Sequence, residues 1–205
     1  MKRFLLITTL VGLISCIGID SQISMRNDGS GTLRLSYKIS QFMKNLDTAK
    51  ENRTLPLPIS REDFTRTVEG SEGLKLVSLR QNEDEQNVYI DALIEFSRVE
   101  AVNAIGREGQ ISLTYAAEGD THTFRQVIYR GRELEEISQD SLKMLDTFFT
   151  GYELSYAFTA PAPIKKYSLG ILSQDKRSVS YTTSVSDLFR NCLLYTSPSP
   201  RDRTR

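Results

Sequence analysis

Residues 17–39 read IGIDSQISMRNDGSGTLRLSYKI, and this stretch decides the fold. Ile17, Ile19, Ile23 and Met25 fall on one face of an alternating run. Leu33, Leu35, Tyr37 and Ile39 do the same after it. Between them, Asn27-Asp28-Gly29-Ser30-Gly31 supplies residues that tolerate positive φ and close tight turns. Alternation on both sides of a turn predicts a β-hairpin whose two apolar faces share one core.

The same pattern recurs. Leu74 to Leu79 and Val88 to Phe96 flank the polar stretch 81–87 and predict a second hairpin. Val88, Ile90, Ala92, Ile94 and Phe96 form its inward face. Ile111, Leu113 and Tyr115, then Glu118-Gly119-Asp120, then Phe124 to Tyr129 predict a third. Tyr152, Leu154, Tyr156 and Phe158 alternate on a strand ended by Pro161 and Pro163. Leu169 to Leu172 suggests a short strand, and Val179, Tyr181 and Val185 a longer one.

Helices lie between these segments. Ser40 is placed to cap a short helix bearing Phe42, Met43, Leu46 and Ala49. Ser60 opens another, with Phe64 and Val68 inward. Ser97-Arg98-Val99-Glu100 has the form of a capping box. Residues 134–150 carry the clearest amphipathic stripe: Leu134, Ile137, Leu142, Leu145, Phe148 and Phe149. Repeated hairpins without strict βαβ alternation predict an α+β domain, an antiparallel sheet built from hairpins with helices packed on one face.

The two ends fall outside this domain. Lys2 and Arg3 precede the apolar run 4–14, which is too short to cross a bilayer and fits the core of a secretory signal. Leu13-Ile14-Ser15-Cys16 then resembles the lipobox of bacterial lipoproteins: an aliphatic residue, a small residue, then Cys. That resemblance implies a signal peptide over 1–15 and a diacylglycerol on Cys16 as the mature N-terminus. It also implies a protein anchored in the cell envelope, outward of the cytoplasmic membrane. Gly18, where an Asp would retain the protein at the inner membrane, permits outer-membrane delivery in a diderm. At the other end, residues 192–202 (CLLYTSPSPRD) match a translated transposase sequencing adapter at all eleven positions. The expectation is a single domain over 16–191, cut short near Asn191, with 192–205 an artefact.

The chain as a whole carries 26 basic and 26 acidic side chains, one His, two Cys and no Trp. Setting aside Lys2, Arg3, Arg201, Arg203, Arg205 and Asp202 leaves 21 basic and 25 acidic groups over 16–191, a net charge of −4. That balance argues against a nucleic-acid partner and gives no hint of a polybasic membrane patch. Two cysteines 176 positions apart make neither a disulfide scaffold nor a thiolate metal site.

Motifs of chemistry are sparse. His122, beside a tight turn, lacks the partners of a triad, and a zinc site needs more than one His. Glu83-Asp84-Glu85 and Asp28 offer oxygen ligands, but without the spacing of a calcium loop, and read as turn residues. No metal and no cofactor is expected. Phe148, Phe149, Tyr152, Tyr156 and Phe158 are candidates for lining a ligand pocket, although their period and position fit better a core between the long helix and the sheet.

Residues 16–46 as a unit also resemble the start of LppM-like bacterial lipoproteins: a lipidated Cys, an immediate strand, Asn-Asp-Gly-Ser-Gly-Thr, and a strand running into a helix. The strand 152–159 closing on Pro161 is similar to their later segment. The Trp often found on a late strand in that family is absent, with Tyr181 in its place. The resemblance implies an α+β envelope domain, with lipid or glycolipid binding suggested for some members. The expected function is a membrane-anchored, non-enzymatic binding or interaction domain, its partners a bilayer through Cys16 and a lipid, glycolipid or protein. The alternative is an envelope hydrolase that uses carboxylates.

Overall fold

The protein is seen in a computed structural model that describes residues 17–41, 44, 45, 58, 60–105, 112–119, 121–127, 152–184 and 187. The first predicted hairpin is β1 (Ile17–Met25) and β2 (Gly31–Ser40), paired antiparallel from Ile19↔Tyr37 to Met25↔Gly31. Asp28 builds the turn: its Oδ1 accepts from the Ser30 backbone N–H at 3.0 Å and the Ser30 hydroxyl at 2.7 Å. The second hairpin is β3 (Leu74–Glu83) and β4 (Asn87–Phe96). Its turn is held by Asp84, which accepts from the backbone N–H of Gln86 and Asn87 at 2.8 and 2.7 Å.

Later strands complete the sheet. They are β7 (Glu153–Thr159), the two-residue β8 (Ile171–Leu172) and β9 (Ser178–Ser184). The seven strands lie in the order β3-β4-β2-β1-β7-β9-β8, which puts β1 at the centre. β5 (Ser112–Glu118) and β6 (Thr121–Val127) form a separate two-stranded sheet.

The coarse class stands: α+β, dominated by strands. Two features correct the expectation of an antiparallel sheet assembled from every hairpin. First, β1 and β7 run parallel, from Ile17↔Glu153 to Ser24↔Thr159, so the sheet is mixed. The connection leading to β7 is far longer than the dozen residues a parallel crossover needs, so nothing forces the antiparallel direction. Second, the β5–β6 hairpin does not join the sheet but covers it. Leu113 is fully buried in the main core, and Tyr115 and Phe124 pack against that core.

One sheet face is apolar. Ile23, Met25, Leu33, Leu35, Tyr37, Leu79, Val88, Ile90, Ala92, Ile94 and Phe96 are all buried there. Helix α1 (Arg61–Glu69) adds Phe64 and Val68, both 0% exposed. Burying a side chain of this kind is worth about 2–3 kcal/mol. Ser60 caps α1 as expected: its Oγ accepts from the Asp63 N–H at 3.1 Å, and Glu62 and Asp63 sit in the first turn. The Tyr37 ring stacks on Phe64 at 6.4 Å, and its hydroxyl donates to the Pro58 carbonyl.

The expected capping box at 97–100 is not formed. A 3-10 helix occupies Val99–Ala104, its N-cap is Arg98, and no side chain caps it. Glu100 instead accepts from the Tyr115 N–H at 2.8 Å. Asn103 joins it, accepting from the Leu113 N–H at 2.7 Å and donating to the Leu113 carbonyl at 3.0 Å. Both side chains are spent on the free backbone edge of β5, where an unpaired group costs more than an exposed helix end. The helix expected over 134–150 lies outside the described residues, as does most of the one expected after Ser40, of which Gln41, Lys44 and Asn45 are described and helical.

Candidate functional site

The strand register sorts the pocket candidates. Tyr156 lies opposite Ser21 on β1 and Tyr181 on β9; Phe158 lies opposite Ile23 and Val179. Residues directly across a sheet share a face. Tyr156, Phe158, Tyr181 and Val179 therefore continue the apolar face that holds Ile23. The β5–β6 hairpin closes over part of it: Phe124 stacks on Phe158 with ring centroids 4.0 Å apart and planes at 10°. Tyr115 stacks on His122 at 5.8 Å, and the Tyr115 hydroxyl hydrogen-bonds the imidazole Nδ1.

Tyr156 is half-buried, and burial, with Tyr181 beside it, pushes its phenol up to about 12. It stays a neutral hydrogen-bonding group at every physiological pH. The face is therefore aromatic, uncharged and carries a polar tip, a composition that suits an amphiphile.

Tyr152 engages a different partner. The Lys38 ammonium lies 5.2 Å from the centroid of its ring. Lys38 belongs to the opposite face of β2 from Leu35 and Tyr37. The structure thus brings Tyr156 and Phe158 together and leaves Tyr152 at a cation. Phe148 and Phe149 lie outside the described residues, as do Leu13, Ile14, Ser15 and Cys16.

The carboxylates are committed to structure. The Ser30 hydroxyl and backbone N–H hold Asp28 below the usual carboxylate range, and the backbone N–H groups of Gln86 and Asn87 do the same for Asp84. Glu83 is lowered by Lys44, 2.8 Å away, and by Gln41 and Gln81. Burial alone would raise Asp91, but hydrogen bonds from Arg34 and Ser36, with the charges of Arg34 and Arg80, hold it low. Glu83 and Asp84 are neighbours at the β3–β4 turn, Asp28 lies in the β1–β2 turn, and Asp91 lies on β4. Among the described residues no group of three His, Cys, Asp or Glu side chains could hold a metal ion. An open groove of about 350 Å³ beside the β1–β2 turn is lined by Arg26, Gly73, Lys75, Glu95, Phe96 and Ser97. Within it Lys75 lies 3.7 Å from Glu95, and the Arg26 guanidinium donates to the Ser30 hydroxyl at 3.2 Å.

The sequence reading missed a second surface. Between β7 and β9 the loop leaves Tyr167, Leu169 and Ile171 exposed by 53, 53 and 76%. Lys165, Lys166, Lys176 and Arg177 are exposed on the same loop. The signal was present as the run KKYSLGIL followed by DKR, but Leu169 to Leu172 reads as a strand with a buried side.

Comparison with known proteins finds no matching family model, no matching curated protein and no matching solved structure. The functional reading therefore rests on this geometry and on the sequence.

Proposed function

We propose that the chain is a bacterial envelope lipoprotein whose sheet domain binds or assembles rather than catalyses. Cleavage after Ser15 and acylation of Cys16 hold it to a bilayer. The observation that carries the reading is the position of β1. Its first residue, Ile17, follows Cys16 directly, and β1 is the central strand of the seven-stranded sheet. A lipid on Cys16 then grips the body through a strand paired on both of its edges, one peptide unit, about 3.8 Å, from the sheet. Two or three acyl chains, at about 0.8 kcal/mol per buried CH₂, hold such a body stably.

The ligand-binding surface in this reading is the aromatic face at Tyr156 and Phe158. Phe148 and Phe149, outside the described residues, are the further candidates to line it, and a lipid or glycolipid is the ligand it suits. The hydrolase alternative has less support, since Asp28, Glu83, Asp84 and Asp91 each serve a turn or an ion pair.

Mass spectrometry of the product from a lipoprotein-competent bacterium tests the anchor. The expected product begins at Cys16 and carries a diacylglyceryl mass increment; a bare thiol with the leader intact refutes it. Native mass spectrometry of the purified protein then tests the binding surface. Co-purified lipid lost on Tyr156→Ala supports it, whereas turnover of a glycan or ester substrate at catalytic rates establishes the hydrolase instead.

A further inference from the structure

We propose that the loop between β7 and β9 is a second membrane-contact element, one that docks on an anionic lipid surface and does not depend on Cys16. Four cations, Lys165, Lys166, Lys176 and Arg177, stand in 160–177 against a single carboxylate, Asp175. The loop is locally at +3 although residues 16–191 carry −4. The backbone brings the cations together. The Ile164 N–H donates to the Lys176 carbonyl at 2.7 Å, and the Ala160 N–H to the Arg177 carbonyl at 2.8 Å. None of the four forms an ion pair among the described residues. Asp175 is occupied within the turn, accepting from the Ser173 hydroxyl and the Arg177 N–H.

Apolar side chains stand among these charges. Tyr167, Leu169 and Ile171 are three of the five large hydrophobic residues exposed among the described residues. They are held outward by structure. Gly170 has φ +98°, and a Cβ there would strike the Ser180 carbonyl, so the chain is pressed against β9. Ile171 pairs with Ser180 in register, and the Ser173 N–H donates to the Ser178 carbonyl at 2.8 Å.

Aliphatic side chains that enter the headgroup layer, a tyrosine at the interface and lysines whose stems reach back to phosphate are the chemistry of a monotopic membrane contact. Other occupants fit less well. β8 is two residues long, too short an edge for strand addition by a partner peptide. A second copy of the loop would bring like charges together. The loop leaves the sheet at Thr159, beside Ser24, whereas Cys16 adjoins Ile17. The two contacts are therefore separated by the length of β1, about 23 Å. Both reach one bilayer when the strands lie along its surface.

The chain contains no Trp, so Leu169→Trp provides a single reporter. The full chain carrying Cys16→Ser, which cannot be acylated, is mixed with vesicles of phosphatidylglycerol and phosphatidylethanolamine, or of phosphatidylcholine alone. The expected result is a blue-shifted emission, quenched by brominated acyl chains, with the anionic vesicles only. Charge reversal at the exposed pair, K165E/K166E, should weaken binding by about tenfold or more at unchanged far-UV circular dichroism. A Val77→Trp reporter on β3 should not shift. Emission from position 169 that stays unchanged while the chain co-sediments, as when the leader alone binds, overturns the proposal. So does an equal shift with both vesicles, or a shift without vesicles that grows with protein concentration and marks self-association.

Discussion

Phe124 on β6 and Phe158 on β7 stack face to face at 4.0 Å, and this pair ties the separate hairpin to the main sheet. Both rings are half-buried, so each should contribute less than a fully buried Phe. Phe124→Ala and Phe158→Ala should each lower stability by about 2 kcal/mol. The double variant should reveal a coupling of about 1 kcal/mol. Urea unfolding of the four proteins measures it; strict additivity would mean that the rings act independently.

Gly31 and Phe96 make a tighter contact. They are partners in the β2–β4 register, and a Cβ on Gly31 would lie 2.6 Å from the Phe96 Cζ and closer still to the Ser24 carbonyl. The aromatic ring fills the space that the glycine leaves. Gly31→Ala should therefore cost about 1–3 kcal/mol, the range for overpacking. Shrinking the ring as well, in G31A/F96L, should restore only part of the loss, because the Ser24 carbonyl stays in place.

The pair Arg34–Asp91 crosses β2 and β4 at 2.8 Å, with Ser36 donating to the same carboxylate oxygen at 3.0 Å. Asp91 is held below its ordinary value, so the folded state favours its ionised form. Stability from this source is present above the unfolded carboxylate pKa, near 4, and drains as pH falls through the lower folded value. The pair is open to solvent, so its contribution should be small. Thermal unfolding between pH 5 and 2 should show a shallower acid loss for Asp91→Asn than for the parent.

Tyr156 has the opposite sign. Its folded pKa, about 12, lies above that of an exposed phenol near 10. The folded state then holds the proton longer than the unfolded chain. Stability from this source is full below pH 10 and declines as pH rises towards 12. Ultraviolet titration should show a late tyrosine step about two pH units after that of an exposed tyrosine, and Tyr156→Phe should lower that step by one phenol. An undiminished late step in the variant would assign it to other tyrosines, such as the buried Tyr37.

Local signals carried most of the legible fold. The turn at 26–30 has Asp28 for its carboxylate bond, α1 has Ser60, and alternation sorted β2 and β4 into inner and outer faces residue by residue. Partner choice was less legible. Nothing in the alternation of 152–158 says whether that strand joins β1 parallel or antiparallel, because each side chain keeps its face either way. The third hairpin looks like the first two in sequence; its separate place follows from Leu113 and Phe124 finding a sheet to cover. The 97–100 motif misled because Glu100 gains more from the edge of β5 than from its own helix. At the candidate site, Tyr156 and Phe158 were legible through spacing, while Tyr152 was drawn to a cation on a strand far away in sequence. The cationic loop escaped notice because an acidic total hides a local reversal of charge.

The central position of β1 also sets an order of assembly. Its antiparallel neighbour β2 follows within a few residues, and β3 and β4 extend that side from the same first hundred residues. Its parallel neighbour β7 begins only at Glu153. While the chain is still emerging, one edge of its middle strand stands bare beside a finished four-strand half. That half-built intermediate is where a chaperone has something to hold, and where crowding of nascent chains does most harm.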